Sequence, residues 1–210
     1  MAADVTTSSV TGCSENSEHP AARLVYHRCA QDTLRFMTRG TVMRLLIVRH
    51  AIAEDRKTFA RTGKRDALRP LTGYGRIQMR QASRGLRRIL PSIDVVGTSP
   101  LTRTMQTARI LAAAYDHPRL VSVPALDHAP NPLTFVRWLQ GHRREEVVAA
   151  VGHEMHLVSL TSVLLSGKRG QFVLLKKGGA CLLLFDGAVQ PGRAKLVWAL
   201  SPAHLRALGK

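Results

Sequence analysis

The sequence predicts an α/β protein: a three-layer α/β/α sandwich with a mostly parallel sheet and an antiparallel C-terminal hairpin. Short apolar runs, too brief for helices, alternate along the chain with segments of helical periodicity. The last two apolar runs are joined by a turn containing glycine and proline, which indicates the hairpin. No apolar run is long enough to span a bilayer, so we expect no membrane partner.

The N-terminal part of the chain differs in composition from the rest. We predict a poorly ordered extension over residues 1–42 and one folded domain over residues 43–210. The extension is rich in Ser and Thr at its start and lacks the apolar core of a secretory signal. Its four acidic residues argue against an organellar transit peptide. We therefore interpret it as a dispensable addition to the domain.

The first half of the domain alternates strand, helix and strand. Leu45 to Val48 is an unbroken apolar run that predicts a strand buried on both faces. The charged residues 53–69 predict a loop. Thr72 suits the N-cap of a helix that ends before Pro91, and residues 93–96 predict the second strand.

The second half repeats this alternation and ends in the hairpin. Because parallel strands need crossover connections, helices are expected on both faces of the sheet. We predict a helix after Pro100, a third strand near 121–123, a helix around 135–139, a buried strand over 147–151, a helix ending at Gly167, and strands over 180–185 and 194–200.

Arginine and histidine residues follow three of the predicted strands. The first strand ends in Arg49 and His50. The second leads into a helix whose first turn holds Arg103, and the strand over 147–151 leads to His153. If these strands are parallel and adjacent, the four side chains converge at the carboxyl edge of the sheet, where open α/β sheets bind ligands.

Two arginines and two histidines around one point suit a tetrahedral phosphoryl group. Guanidinium groups donate paired hydrogen bonds to phosphate oxygens, and an imidazole can attack phosphorus as a nucleophile. Taken singly, Arg49 and His50 could mark the strand's exit into water, and Arg103 or His153 could be a capping or core residue. His153 and His156 could also bind a metal ion, although they stand one residue too close for a zinc-protease helix.

The charge and the cysteines restrict partners and location. The formal net charge of +17 would attract phosphorylated proteins, polyphosphate or nucleic acid. The sequence lacks the aromatic interleaving of proteins that stack on single strands, which argues against nucleic acid. Cys13, Cys29 and Cys181 are far apart and form no disulfide framework, so we expect a cytoplasmic protein.

Three stretches match one family pattern: L-I-V-R-H over 46–50, T-S-P-L-T-R-T-M-Q-T-A over 98–108, and V-G-H-E over 151–154. In these stretches the chain resembles the histidine phosphatase superfamily, also called the phosphoglycerate-mutase-like superfamily. Within it, R-P-L-T over 69–72 and L-K-K-G-G over 175–179 look most like the SixA-type phosphohistidine phosphatases.

The resemblance implies a metal-independent phosphatase that needs no cofactor. It implies His50 as the nucleophile, with Arg49, Arg103 and His153 completing the phosphate pocket. Arg69 is a further candidate for substrate binding because it lies in the R-P-L-T run.

The chain departs from the family pattern in two respects. Ala51 stands where the superfamily usually has glycine, which predicts slight crowding of that loop. Many members place an acid between the two later motifs to protonate the leaving group, and Asp127 is the candidate by location alone. A phosphoramidate bond breaks readily once its nitrogen is protonated, so a phosphohistidine substrate demands less of such an acid.

These observations together predict a phosphatase that acts on phosphohistidine in a protein. The sequence shows no long insertion that would form a lid, and an open pocket suits a phosphate on a protein surface. Two alternatives stay open. One is the same chemistry on a small phosphate ester or polyphosphate, and the other is a non-catalytic, basic binder of anions or nucleic acid.

Overall fold

The strand that precedes the R-H pair is the central element of the fold. The computed structural model describes residues 42–127, 131–142 and 147–210, so the predicted extension lies outside the described residues except for Val42. Strand β1 (Val42–Arg49) has Leu45 to Val48 fully buried, as predicted from its unbroken apolar run. Strands buried on both faces belong to sheets that are covered by helices on both sides.

Six strands of the described residues form one sheet in the order β3-β2-β4-β1-β5-β6. β1 pairs in parallel with β4, and β2 lies in parallel between β4 and β3. β5 is antiparallel to both β1 and β6, which confirms the mostly parallel sheet and the hairpin. The other strands are β2 (Val95–Thr98), β3 (Arg119–Ser122), β4 (Val147–Gly152), β5 (Ala180–Asp186) and β6 (Ala194–Leu200).

Helices cover both faces of the sheet, and alternate residues of β1 show which helix lies where. Leu45 and Ile47 belong to the core beneath α4 and α5, whereas Leu46 and Val48 belong to the core beneath α2, α3 and α6. The three-layer sandwich is therefore confirmed. The helices are α1 (Arg56–Ala60), α2 (Gly73–Ile89), α3 (Thr102–Ala112), α4 (Pro132–Gln140), α5 (Glu154–Ser166) and α6 (Pro202–Leu208).

Local signals account for several helix ends. Thr72 caps α2 as predicted, because its hydroxyl accepts a hydrogen bond of 2.9 Å from the amide of Gly75. Gly75 also lets α2 start against the loop after β1, since a Cβ there would clash with the carbonyl oxygen of Ile52. Gly167 ends α5 with a φ of 75°, the left-handed conformation that glycine adopts without strain.

Three details differ from the prediction. The stretch 53–69 is not wholly a loop: it contains α1 and a short 3₁₀ helix, Asp66–Leu68. Strand β3 begins two residues earlier than expected, at Arg119, and α6 follows β6 without having been predicted. Among the described residues, no helix combines the length and apolarity needed to cross a membrane.

Candidate active site

The two histidines of the predicted pocket lie side by side at the carboxyl edge of the sheet. The register of β1 and β4 pairs Arg49 with Gly152, and the amide of His50 donates to the carbonyl of Gly152 at 3.0 Å. Adjacent parallel strands that end at the same level must bring the residues that follow them together. The rings of His50 and His153 accordingly meet edge to face, with centroids 5.3 Å apart.

The hydrogen bond of His50 determines which ring nitrogen can react. Nδ1 lies 2.7 Å from the carbonyl oxygen of Ala51, and because a carbonyl only accepts, Nδ1 carries the proton. In the neutral ring the lone pair is therefore on Nε2. The pKa of His50 is lowered to about 4, mainly by burial and also by the nearby charges of Arg103, Arg49 and Lys177, although the hydrogen bond to Ala51 raises it. At neutral pH His50 is thus an uncharged imidazole, the form a nucleophile requires.

Arg103 lies where the sequence predicts, in the first turn of α3, and it is 1% exposed. Its Nη1 lies 3.1 Å from a carboxylate oxygen of Asp66, and it also donates to the carbonyl of Asp66 at 3.1 Å. Burial lowers the pKa of Arg103 and the charge of Asp66 raises it, and arginine remains charged under these conditions. The salt bridge therefore holds a cation whose field still reaches His50.

Asp66 connects several arginines at the mouth of the pocket. Besides Arg103, it accepts a hydrogen bond of 2.8 Å from Nε of Arg69, and Arg56 lies 3.8 Å away. Burial raises the pKa of Asp66, but the hydrogen bond from Arg69 and the arginine charges outweigh it and leave the pKa lowered. Arg69 also donates to the carbonyl of Glu54 at 2.8 Å. Arg69 thus helps to hold Asp66 in position. The role of Arg69 in substrate binding stays a prediction.

Arg49 is fixed by groups from two distant parts of the chain. Its Nη2 lies 2.7 Å from Oε2 of Glu154, and its Nη1 donates to the carbonyl of Leu175 at 2.7 Å. Burial lowers the pKa of Arg49, and Glu154 partly offsets this. The Nε of Arg49 is buried and has no hydrogen-bond partner among the described residues. An anion oxygen beside it would supply that missing acceptor.

His153 is held by a residue that the sequence analysis did not select. Its Nε2 lies 3.1 Å from the hydroxyl of Ser99, in a bond whose direction depends on the histidine tautomer. Both residues are buried, and the amide of Ser99 donates to Val151 at the end of β4. Ser99 follows β2 in the S-P-x-x-R motif, so its position in that motif is the signal that could have identified it.

The remaining residues of the long motif build the support of the pocket. Thr107 accepts a hydrogen bond of 3.1 Å from the amide of Ala51 and donates to the carbonyl of Arg103 at 2.7 Å. Gln106 accepts from the amide of Leu71 at 2.8 Å. Thr107 therefore connects the loop after His50 to the helix that carries Arg103. Ala51 is buried within this arrangement.

The L-K-K-G-G run forms a turn that is hydrogen-bonded to the end of β1. The amide of Gly178 lies 3.1 Å from the carbonyls of both Arg49 and His50, and the amide of Arg49 donates to Gly179 at 3.1 Å. Gly178 has a φ of 77°, which a residue with a side chain adopts only with strain. This turn places Lys177 close enough to His50 to lower its pKa.

Asp127, the candidate general acid, lies within electrostatic reach of His156. His156 is buried, and burial lowers its pKa while the charge of Asp127 raises it. The part of the chain that the structure describes holds no group of three or more His, Cys, Asp or Glu placed for a metal ion. The role of Asp127 in the reaction stays a prediction.

This arrangement defines a site for an anion with several oxygens. Two guanidinium groups are oriented by carboxylates, and a neutral imidazole with a free Nε2 lies beside a second imidazole. Such fixed cations stabilise charge that develops on the oxygens of a transferring phosphoryl group. The class of protein that this geometry indicates is one that handles phosphoryl groups through histidine.

Comparison with known proteins assigns the chain to a family. A family model described as "Histidine phosphatase superfamily (branch 1)" matches residues 45–127, which include β1, β2 and α3. The chain belongs to the histidine phosphatase superfamily, whose members are phosphatases. It is also 32% identical to an uncharacterized protein from Picosynechococcus sp. over 139 residues, which cover 65% of this chain and 82% of the relative.

Solved structures share the fold. The structure of the protein histidine phosphatase SixA complexed with tungstate is similar with a TM-score of 0.67 and 22% identity, covering 78% of this chain and 99% of that one. The alpha-ribazole phosphatase from Shigella flexneri is similar with a TM-score of 0.59 and 18% identity, covering 76% and 97%. These neighbours share a fold although the names given to them differ.

Proposed function

We propose that the protein hydrolyses phosphohistidine on another protein through a phosphoryl intermediate on His50. The observation that carries the proposal is the state of His50: uncharged, with its Nδ1 proton held by Ala51. Its ring lies 5.3 Å from that of His153, and the charges of Arg49 and Arg103 reach it. These features support a nucleophile at Nε2 and a cationic cradle for the phosphoryl oxygens.

The proposed reaction has two steps. In the first, Nε2 of His50 attacks phosphorus, a P–N bond to His50 forms, and the P–N bond of the substrate breaks. The departing imidazole nitrogen takes up a proton as it leaves. In the second step, water attacks phosphorus, the P–N bond to His50 breaks and inorganic phosphate is released. Arg49, Arg103 and His153 surround the phosphoryl oxygens in both steps and stabilise their charge.

Two features support a protein substrate. The opening beside Arg49 is a wide depression rather than an enclosed cavity, which suits a phosphate displayed on a surface. The fold is also similar to that of SixA, named a protein histidine phosphatase. The similarity to alpha-ribazole phosphatase favours a small phosphate ester as the second candidate substrate. The cytoplasmic location stays a prediction.

Trapping the intermediate tests the nucleophile. Brief exposure to phosphoramidate, followed by an alkaline quench and peptide mapping, should place one phosphoryl group on His50. His50→Ala should form no adduct and lose at least about 10³-fold in phosphate release, because the nitrogen that attacks phosphorus is removed. His204→Ala is the matched control, since His204 is exposed on α6. A phosphoryl group on a different histidine, or full activity of His50→Ala, would contradict the mechanism.

A substrate panel tests the choice of substrate. A histidine-phosphorylated protein domain should be hydrolysed with a kcat/KM at least about tenfold above that of sugar phosphates, because its P–N leaving group needs less assistance. His50→Ala should lose hydrolysis of both substrates. Faster turnover of a small ester would transfer the proposal to the second candidate.

A further inference from the structure

We propose that a basic depression beside the active site docks an acidic protein segment that surrounds the phosphorylated residue. The depression has a volume of about 580 Å³, and its lining includes Arg49, Tyr74, Gln78, Lys176, Lys177 and Arg206. The inference rests on the proposed function, because it names the kind of partner that would present the phosphoryl group. It assigns a role to Lys176, a residue of the L-K-K-G-G run to which the proposed chemistry at His50 gives none.

The depression is continuous with the pocket. Arg49 belongs to both, since its guanidinium is tied to Glu154 while its side chain also lines the depression. Lys177 lines the depression and lowers the pKa of His50 by its charge, so its ammonium group lies within electrostatic reach of the ring. A macromolecule that presents a phosphoryl group to His50 would therefore place its neighbouring residues against this surface.

The charge of the depression is unbalanced. Lys176 and Lys177 are exposed, and neither has an ion pair within the described ranges. Arg206 binds only a neutral group there, with its Nη1 3.0 Å from Oε1 of Gln78. No acidic side chain of the described residues lines the depression. Its field therefore favours carboxylates, and complementary charge of this kind accelerates association and selects partners.

The other lining residues favour a polypeptide over a nucleic acid. Tyr74 is 62% exposed and is the single aromatic residue that the described part of the chain contributes to the lining. Binding of single strands relies on several aromatic side chains that stack successive bases, whereas tyrosine is enriched at protein interfaces. Ile52 and the residues at the start of α6, Ser201 to Ala203, complete the surface. One aromatic residue beside exposed lysines suits an acidic peptide segment.

Two peptides and two charge-reversed variants test the inference. Each peptide carries one central phosphohistidine, flanked by glutamates in one and by glutamines in the other. The test variant is Lys176→Glu/Arg206→Glu, which leaves Lys177 and the pocket intact. The control is Arg109→Glu/Arg193→Glu, which changes net charge equally at two exposed residues, one in the last turn of α3 and one in the turn between β5 and β6.

The native protein should hydrolyse the glutamate peptide with a kcat/KM about tenfold above that of the glutamine peptide at low salt. The test variant should reduce this ratio to about one, mainly through KM, and leave turnover of the glutamine peptide within about twofold. The control variant should keep the native ratio. Added salt should lower the ratio in the native protein, because exposed charges are screened. Circular dichroism checks that both variants fold.

Equilibrium binding of the unphosphorylated peptides separates docking from chemistry. If the glutamate peptide binds selectively and the test variant abolishes that selectivity while no phosphate is released, docking stands and the proposed activity fails. An unchanged ratio in the test variant, or an equal loss in the control variant, would overturn the docking surface. Tighter binding of a polyphosphate or a DNA oligonucleotide of equal charge would also overturn it, because the surface would then be a general polyanion site.

Discussion

Two basic regions meet at Arg49, and they differ in how their cations are held. In the pocket, the buried Arg103 is paired with Asp66 at 3.1 Å, and the partly buried Arg49 is paired with Glu154 at 2.7 Å. In the depression, Lys176 and Lys177 extend into solvent with no ion pair among the described residues. Carboxylates that orient the guanidiniums remove the cost of reorganisation when a phosphoryl group arrives. Lysine side chains without an ion pair can take up different positions, and their charge is not neutralised. This suits a partner of variable shape.

Removing the carboxylate charge that orients Arg103 in the pocket should produce the largest loss of activity. Asp66→Asn keeps the shape of the side chain but removes the charge that orients Arg103, so kcat/KM should fall by about 10- to 100-fold. Inhibition by vanadate should weaken by a similar factor, which simple loss of stability would not cause. Asp186→Asn is the matched control, because Asp186 lies 4.0 Å from Lys195 in the distant hairpin. Native activity in Asp66→Asn would show that Arg103 needs no such support.

The pH dependence of His50 sharpens the comparison further. Because its pKa is lowered to about 4, the neutral form should persist as the pH falls from 7.5 to 5.5. An ordinary imidazole with a pKa of about 6.5 would lose about tenfold of its neutral form over that range. Nuclear magnetic resonance of the ring protons, assigned by their loss in His50→Ala, measures this directly. A titration midpoint near pH 6.5 would show that burial and the arginine charges do not lower the pKa of His50.

Removing an exposed cation of the depression should produce the smallest change in activity. Lys177→Gln removes one cation near His50 and should raise the pKa of His50, because the charged imidazolium is then less opposed. Phosphate release from a small phosphoramidate at pH 7 should change by less than about threefold, since exposed charges are well screened. Lys168→Gln, at an exposed lysine after α5, should leave the titration of His50 unchanged. A large loss of activity in Lys177→Gln would place Lys177 in the pocket.

The parts of the fold that depend on local patterns could be predicted from the sequence. The apolar run of β1 and the cap at Thr72 are signals within a few residues, and both were confirmed. Helix α1 was missed because its five residues bury only Phe59, which leaves no periodicity to detect. Helix α6 was missed for a similar reason, although Ser201 and Pro202 are typical of a helix start.

The strand ends predicted which residues converge, but they could not predict what holds them. Asp66 and Arg103 are 37 residues apart, and no pattern in either segment shows that they form a salt bridge. Glu154 is visible beside His153 in the sequence, yet its partner Arg49 lies at the end of β1, far from it along the chain. Side-chain pairs of this kind depend on register and rotamer, which only the folded arrangement determines.

The central position of β1 has a consequence for biosynthesis. Both sheet neighbours of this strand come from later in the chain: β4 begins at residue 147 and β5 at residue 180. At ribosomal rates of about 5–20 residues per second, the strand leading to His50 waits several seconds for its first partner. During that time its apolar side chains are exposed to other nascent chains. We therefore expect fragments that stop before β4 to aggregate, and slower translation of this region to increase the need for chaperones.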